Sequence, residues 1–156
     1  LSLIDDLDTA VLNSKMSVKM QRALIPSIGS SLSYTVTFPA TIAAPELDTH
    51  TVTSTNFTFN SKACSIKNKL DTNKLEIVAA GGSVEVDNIG SYDAAKGTID
   101  LVGFNPSALL GSSILFSVVP ANESTIRPLR NFILDVDTQR STSSAILDFQ
   151  NTAVTL

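Results

Sequence analysis

The chain has 156 residues, of which 43% are hydrophobic and only 17% charged, with a net charge of −4; this length can bury about two-thirds of the surface of the unfolded chain, so folding needs no metal or disulfide staple. The acidic balance excludes the broad basic footprint of a nucleic-acid or anionic-membrane binder. No apolar run approaches the roughly 18 residues of a membrane span, residues 1–6 lack the basic end of a secretory signal, and the single cysteine, Cys64, has no internal disulfide partner.

In chain order, residues 8–14 have room for one helical turn. Residues 15–22 alternate strictly, with Met16, Val18 and Met20 against Lys15, Ser17, Lys19 and Gln21, and a period of two predicts a half-buried strand. The alternation recurs in Leu32, Tyr34, Val36 and Phe38 and is closed by Pro39. Residues 40–56 carry no sustained pattern and are expected to be an irregular connection with a short strand around Val52. Regular structure resumes at Phe57. In 62–70 the residues Cys64, Ile66 and Leu70 are expected on one face. After the turn-prone Asp71-Thr72-Asn73 the next run presents Leu75, Ile77 and Ala79, which is a hairpin signal.

Ala80-Gly81-Gly82 punctuates, and Val84 and Val86 then alternate with Glu85 and Asp87 up to Asn88-Ile89-Gly90. Residues 92–97 read as a tight connection in which Gly97 supplies a positive φ, leading to a strand over 98–102 with Ile99 and Leu101 on one face. Residues 106–110 allow a helical turn. The apolar run 114–119 suits a central strand buried on both faces, ended by Pro120. Phe132, Leu134 and Val136 alternate with Ile133, Asp135 and Asp137, giving about eight strands in all. The expected fold is mainly β, an antiparallel sandwich or barrel-like domain with little helix over residues 1–137. Beyond it, the polar run 138–144 and the apolar Ile146, Leu147 and Phe149 read as a docking arm over 138–156.

No chemical constellation assembles from these residues, and no catalytic, cofactor-binding or metal residue is assigned. His50, the only histidine, reads as an exposed loop residue, since one histidine cannot build a multi-histidine metal site. Cys64 falls on an apolar strand face as a small hydrophobe. Asp135 with Asp137, and Asp5, Asp6 and Asp8, lack the loop spacing of a calcium site and read as solvated faces, the first meeting Arg127 or Arg130. Glu85 and Asp87 offer two carboxyls for glycoside hydrolysis, but tryptophan is absent and only Tyr34 and Tyr92 could serve as sugar platforms. Asn56-Phe57-Thr58 and Asn122-Glu123-Ser124 match a glycosylation triplet that is common by chance.

The run IDDLDTAVLNS (4–14) followed by SVKMQRALIPSIGSSLSYTVTFP (17–39), then DNIGSYDAAKGTIDLVGF (87–104) and VVPANESTIRPLRNFILDVD (118–137), resembles the C-terminal part of baseplate wedge proteins of T-even-like contractile-tailed phages, in the wider baseplate J-like group. The resemblance spans nearly the whole chain, least between 40 and 80, and consists of patterned strands and turns. It implies a virion protein of the tail baseplate, assembled in the host cytoplasm. It further implies a large subunit whose C-terminal region pairs with a second copy as a homodimer and contacts other baseplate wedge proteins. No catalytic residue carries over, and the chain, opening on Leu1, is expected to be a fragment of that longer subunit. The expected interface residues are Leu109 and Leu110 in a loop and Ile146, Leu147 and Phe149 in the arm. A host-surface or carbohydrate-binding β domain of a phage fibre or adhesin is the rival reading; reproducible glycan-array binding would favour it.

Overall fold

The computed structural model of the chain describes residues 18–123, all of them in one compact unit. Ten strands follow one another: β1 (Met20–Leu24), β2 (Leu32–Thr37), β3 (Val52–Ser54), β4 (Phe57–Phe59), β5 (Lys62–Asn68), β6 (Lys74–Ala79), β7 (Val84–Asp93), β8 (Thr98–Phe104), β9 (Ala108–Leu109) and β10 (Ile114–Val118). No α-helix occurs among the described residues. The mainly β, antiparallel fold expected from alternation is the fold observed, and of the two expected forms the sheet takes the barrel-like one.

The strands hydrogen-bond in the order β1-β10-β3-β5-β6-β7-β8-β2, all antiparallel. The first and last strands of this path are consecutive in the chain, so the sheet curls until its ends face each other and the barrel is nearly closed. One edge of β5 is shared by two partners: β4 pairs with its first half through Phe57 and Cys64, and β3 with its second half through Thr53 and Lys67. Between them the chain bends at Thr55-Asn56. There Ser54 Oγ accepts the Ile66 N–H at 2.8 Å and Thr55 Oγ1 accepts the Leu115 N–H at 3.0 Å, so hydroxyls satisfy amides where the ladder splits.

The interior is filled by the inward face of each strand, with Tyr92, Phe57, Phe104 and Phe116 the bulkiest fully buried side chains. Phe104 stands edge-on to Phe57, centroids 5.2 Å apart, and edge-on to Tyr34 at 6.4 Å. Both contacts have the perpendicular geometry that ring quadrupoles favour. Cys64, Ile66, Leu75, Ile77, Ala79, Ile99 and Leu101 all face inward as their alternation predicts.

Several boundaries differ from the sequence reading. The first strand begins at Met20, five residues later than the alternation suggests; Met20 is buried as expected, whereas residues 15–17 lie outside the described part. The connection 40–56 does contain a strand at Val52, and Ile42 is also pinned by a bridge to Pro120. Leu70, expected inward, is exposed, because β5 ends at Asn68 and the chain turns through Asp71 at φ 58°. The inward place falls to Asn68.

Residues 84–93 form one ten-residue strand without a break at Asn88-Ile89-Gly90, and Tyr92 lies within it. The register against β6 shifts between Leu75, opposite Gly90, and Ile77, opposite Val86. Irregularity within the strand absorbs the pattern change that reads as a turn. A Cβ at Gly90 would stand 2.0 Å from the Asp100 carbonyl oxygen, so this glycine marks a close approach of β7 and β8. Gly97 has the positive φ expected of it, 68°. Residues 106–110 are not a helical turn: Ala108 and Leu109 pair with β4. Finally, β10 is central, held by β1 and β3, but only one face is buried, Leu115 and Ser117 being partly exposed.

Candidate functional site

The strand directions place the connection 25–31, the crossing segment 105–107 and the loop 110–113 at one end of the barrel. Leu24 pairs with Ile114 and Leu32 with Phe104. The end is tied together by backbone contacts: the Gly29 N–H donates to the Pro106 carbonyl at 3.4 Å and the Ser107 N–H to the Thr58 carbonyl at 2.8 Å. Side chains add to this, since Tyr34 Oη accepts the Ser27 N–H at 2.9 Å and Ser31 Oγ donates to the Gly103 carbonyl at 3.0 Å.

Leu109 and Leu110 part company here. Leu109 sits in β9 opposite Phe57 and packs against the core, while Leu110 projects into solvent. Ile146, Leu147 and Phe149, the arm 138–156, the strand expected over 132–137 with Asp135 and Asp137, Arg127, Arg130 and the cluster Asp5, Asp6 and Asp8 lie outside the described residues.

The residues weighed for chemistry are dispersed. His50 is half-buried and not an exposed loop residue, its Nδ1–H donating to the Asn68 carbonyl at 2.7 Å. It belongs to a polar layer closing the opposite end of the barrel, in which Thr51 donates to the Ala44 carbonyl at 3.1 Å and Tyr92 to the Ala43 carbonyl at 3.3 Å. Cys64 is buried; burial first, and the Glu85 carboxylate second, push its thiol above the ordinary value, which disfavours the reactive thiolate.

Glu85 accepts from Lys62 Nζ at 2.7 Å and from Ser83 at 2.9 Å, and Asp87 accepts from Lys69 Nζ at 2.6 Å. The bond from Lys62, and after it that from Ser83, hold the Glu85 carboxyl below its usual range, the direction opposite to that of a general acid. Among the described residues, no group of three or more His, Cys, Asp or Glu side chains could hold a metal ion, and no helix is long and apolar enough to cross a membrane.

Charge divides unevenly over the barrel. Strands β5–β7 and their turns carry Lys62, Lys67, Lys69, Lys74, Glu76, Glu85 and Asp87, with Lys67 directly opposite Glu76. By contrast, residues 23–45 and 101–122, which include all of β2, β9 and β10 and the segments 25–31, 105–107 and 110–113 of the tied end, contain no Asp, Glu, Lys or Arg. Besides Leu110, that end exposes Ile25, Ile28, Leu32 and Val102. The periodicity reading missed these four, although the two charge-free runs are visible in the sequence.

Comparison with family models, with curated proteins and with solved structures finds no match.

Proposed function

We propose that the chain is a structural assembly domain of the tail baseplate wedge of a contractile-tailed phage, part of the virion, with a second copy of itself and other wedge proteins as partners. The observation that carries the assembly reading is the filled interior. Tyr92, Phe57, Phe104, Phe116 and the aliphatic side chains around them occupy the barrel, so the protein's work falls to its surface. The baseplate placement is supported by the resemblance of residues 17–39, 87–104 and 118–137 to wedge proteins.

Native mass spectrometry of the full chain at increasing concentration tests self-association: a dimer is expected, and a monomer at every concentration would count against the reading. Cross-linking of tail assemblies that contain this chain tests the placement. Links from this chain to wedge proteins are expected; links only to fibre or host-surface components would move it to the rival class.

A further inference from the structure

We infer that a second copy of this chain docks on the charge-free apolar patch that Ile25, Ile28, Leu32, Val102 and Leu110 form at the tied end of the barrel, an inference that rests on the self-association reading. These five are among the eight large apolar side chains that the described residues leave exposed, and their exposures run from 45% to 74%. Pairing of Leu24 with Ile114 and Leu32 with Phe104, and the bond from Gly29 to Pro106, bring their segments to one end. Grouped apolar exposure of this kind marks an interaction surface more often than scattered single residues do.

Charge selects the occupant. The chain as a whole carries −4, so two copies repel unless the faces that meet are free of it. In a two-fold interface the same patch lies on both sides, and any unbalanced charge there would oppose its own copy. The segments that carry these five side chains satisfy that condition, with no charged residue in 23–45 or 101–122, and the charges of β5 and β7 at the same end, Lys62 and Glu85, neutralise each other at 2.7 Å. A different partner would be steered and registered by complementary charges at the contact, which this patch does not offer and the β5–β7 wall does. Apolar, charge-depleted contact is also what distinguishes interfaces between identical subunits. The bonds from Ser27 to Tyr34 and from Ser31 to Gly103 hold the surface in one conformation before docking, which lowers the ordering cost.

Sedimentation velocity on the full chain tests the inference. The unmodified chain should dimerise, with little change between about 0.05 and about 1 M salt because no ion pair is screened. Ile28→Asp, Val102→Asp and Leu110→Asp, all at exposed positions, should each weaken dimerisation at least about a hundredfold while circular dichroism and thermal unfolding stay unchanged. Leu47→Asp, exposed at the other end of the barrel, should leave it intact. A dimer that survives all three end substitutions overturns this surface and leaves self-association standing. A chain that is monomeric throughout overturns both.

Discussion

The side-chain carbonyl of Asn68 accepts the backbone N–H of Val52 at 2.9 Å, and neither residue has any surface exposed to solvent. The Asn68 amide nitrogen donates in turn to the Lys69 carbonyl at 3.0 Å and the Thr72 carbonyl at 3.3 Å. One buried side chain thus ties the end of β5 to the start of β3 and closes the turn into β6. Asn68→Leu, similar in volume, would leave the Val52 N–H and two carbonyls without this partner. We expect a loss of about 2–4 kcal/mol in urea unfolding with an unchanged m-value. A loss under about 1 kcal/mol would mean that water replaces the amide.

Gly90→Ala should be among the most damaging single-methyl additions to the chain. Its φ is +149°, and the new Cβ would meet the Asp100 carbonyl oxygen at 2.0 Å. The loss should exceed about 3 kcal/mol, measured by thermal or urea unfolding. Gly81→Ala, where nothing lies within 4 Å of the new Cβ, should change stability by less than about 1 kcal/mol. Similar effects at the two positions would sink the close-approach account of β7 and β8.

Cys64 should make stability fall at high pH. Burial, and then the Glu85 carboxylate, hold the folded thiol above its ordinary value. Its contribution is therefore complete below the unfolded thiol's value of about 8.5 and is lost as pH rises from there through the raised folded value. Urea unfolding of the native chain and of Cys64→Ala across this window should show the steeper decline in the native chain. Parallel slopes would contradict it. Alkylation of the folded protein should in addition proceed only as fast as the barrel opens.

Glu85 should titrate in the opposite sense. Lys62, and then Ser83, depress its carboxyl, so the pair contributes above the ordinary carboxylate value and is lost as pH falls through the depressed one. A carboxyl carbon NMR titration should place Glu85 below the usual Glu range, and Lys62→Met should move it back up. Because Lys62 is more than half exposed, high salt should move it the same way.

The hairpin of β5 and β6 and the inward faces of β6 and β8 were legible because alternation records sidedness directly, whereas in β2 Val36 is buried but Leu32, on the same expected face, is exposed where the register against β8 shifts. Leu75, Ile77, Ile99 and Leu101 occupy the predicted face without exception. The failures share a cause. Leu70 fits the pattern of β5 but lies beyond its end, where Asp71 turns the chain, and Gly90 looks like a turn residue although it is a contact with the neighbouring strand. The turn at Asp71 is held by its N–H bond to the Glu46 carbonyl at 2.8 Å, and Gly90 faces Asp100 across the sheet; a local period encodes neither partner. In the expected interface, Leu109 and Leu110 are chemically identical, yet pairing with Phe57 takes one into the core and leaves the other outside.

The sequence by itself determined the β character of the chain, which side of most strands is apolar, and that residues 23–45 and 101–122 carry no charge. Only the tertiary structure decided between sandwich and barrel, because alternation sets the face of a strand and is silent about its neighbours. The order in which β10 lies between β1 and β3, and β2 beside β8, comes from long-range pairing and the filling of a shared interior. That same folding brings the charge-free stretches 25–32 and 102–113 together at one end, where a linear property becomes a surface.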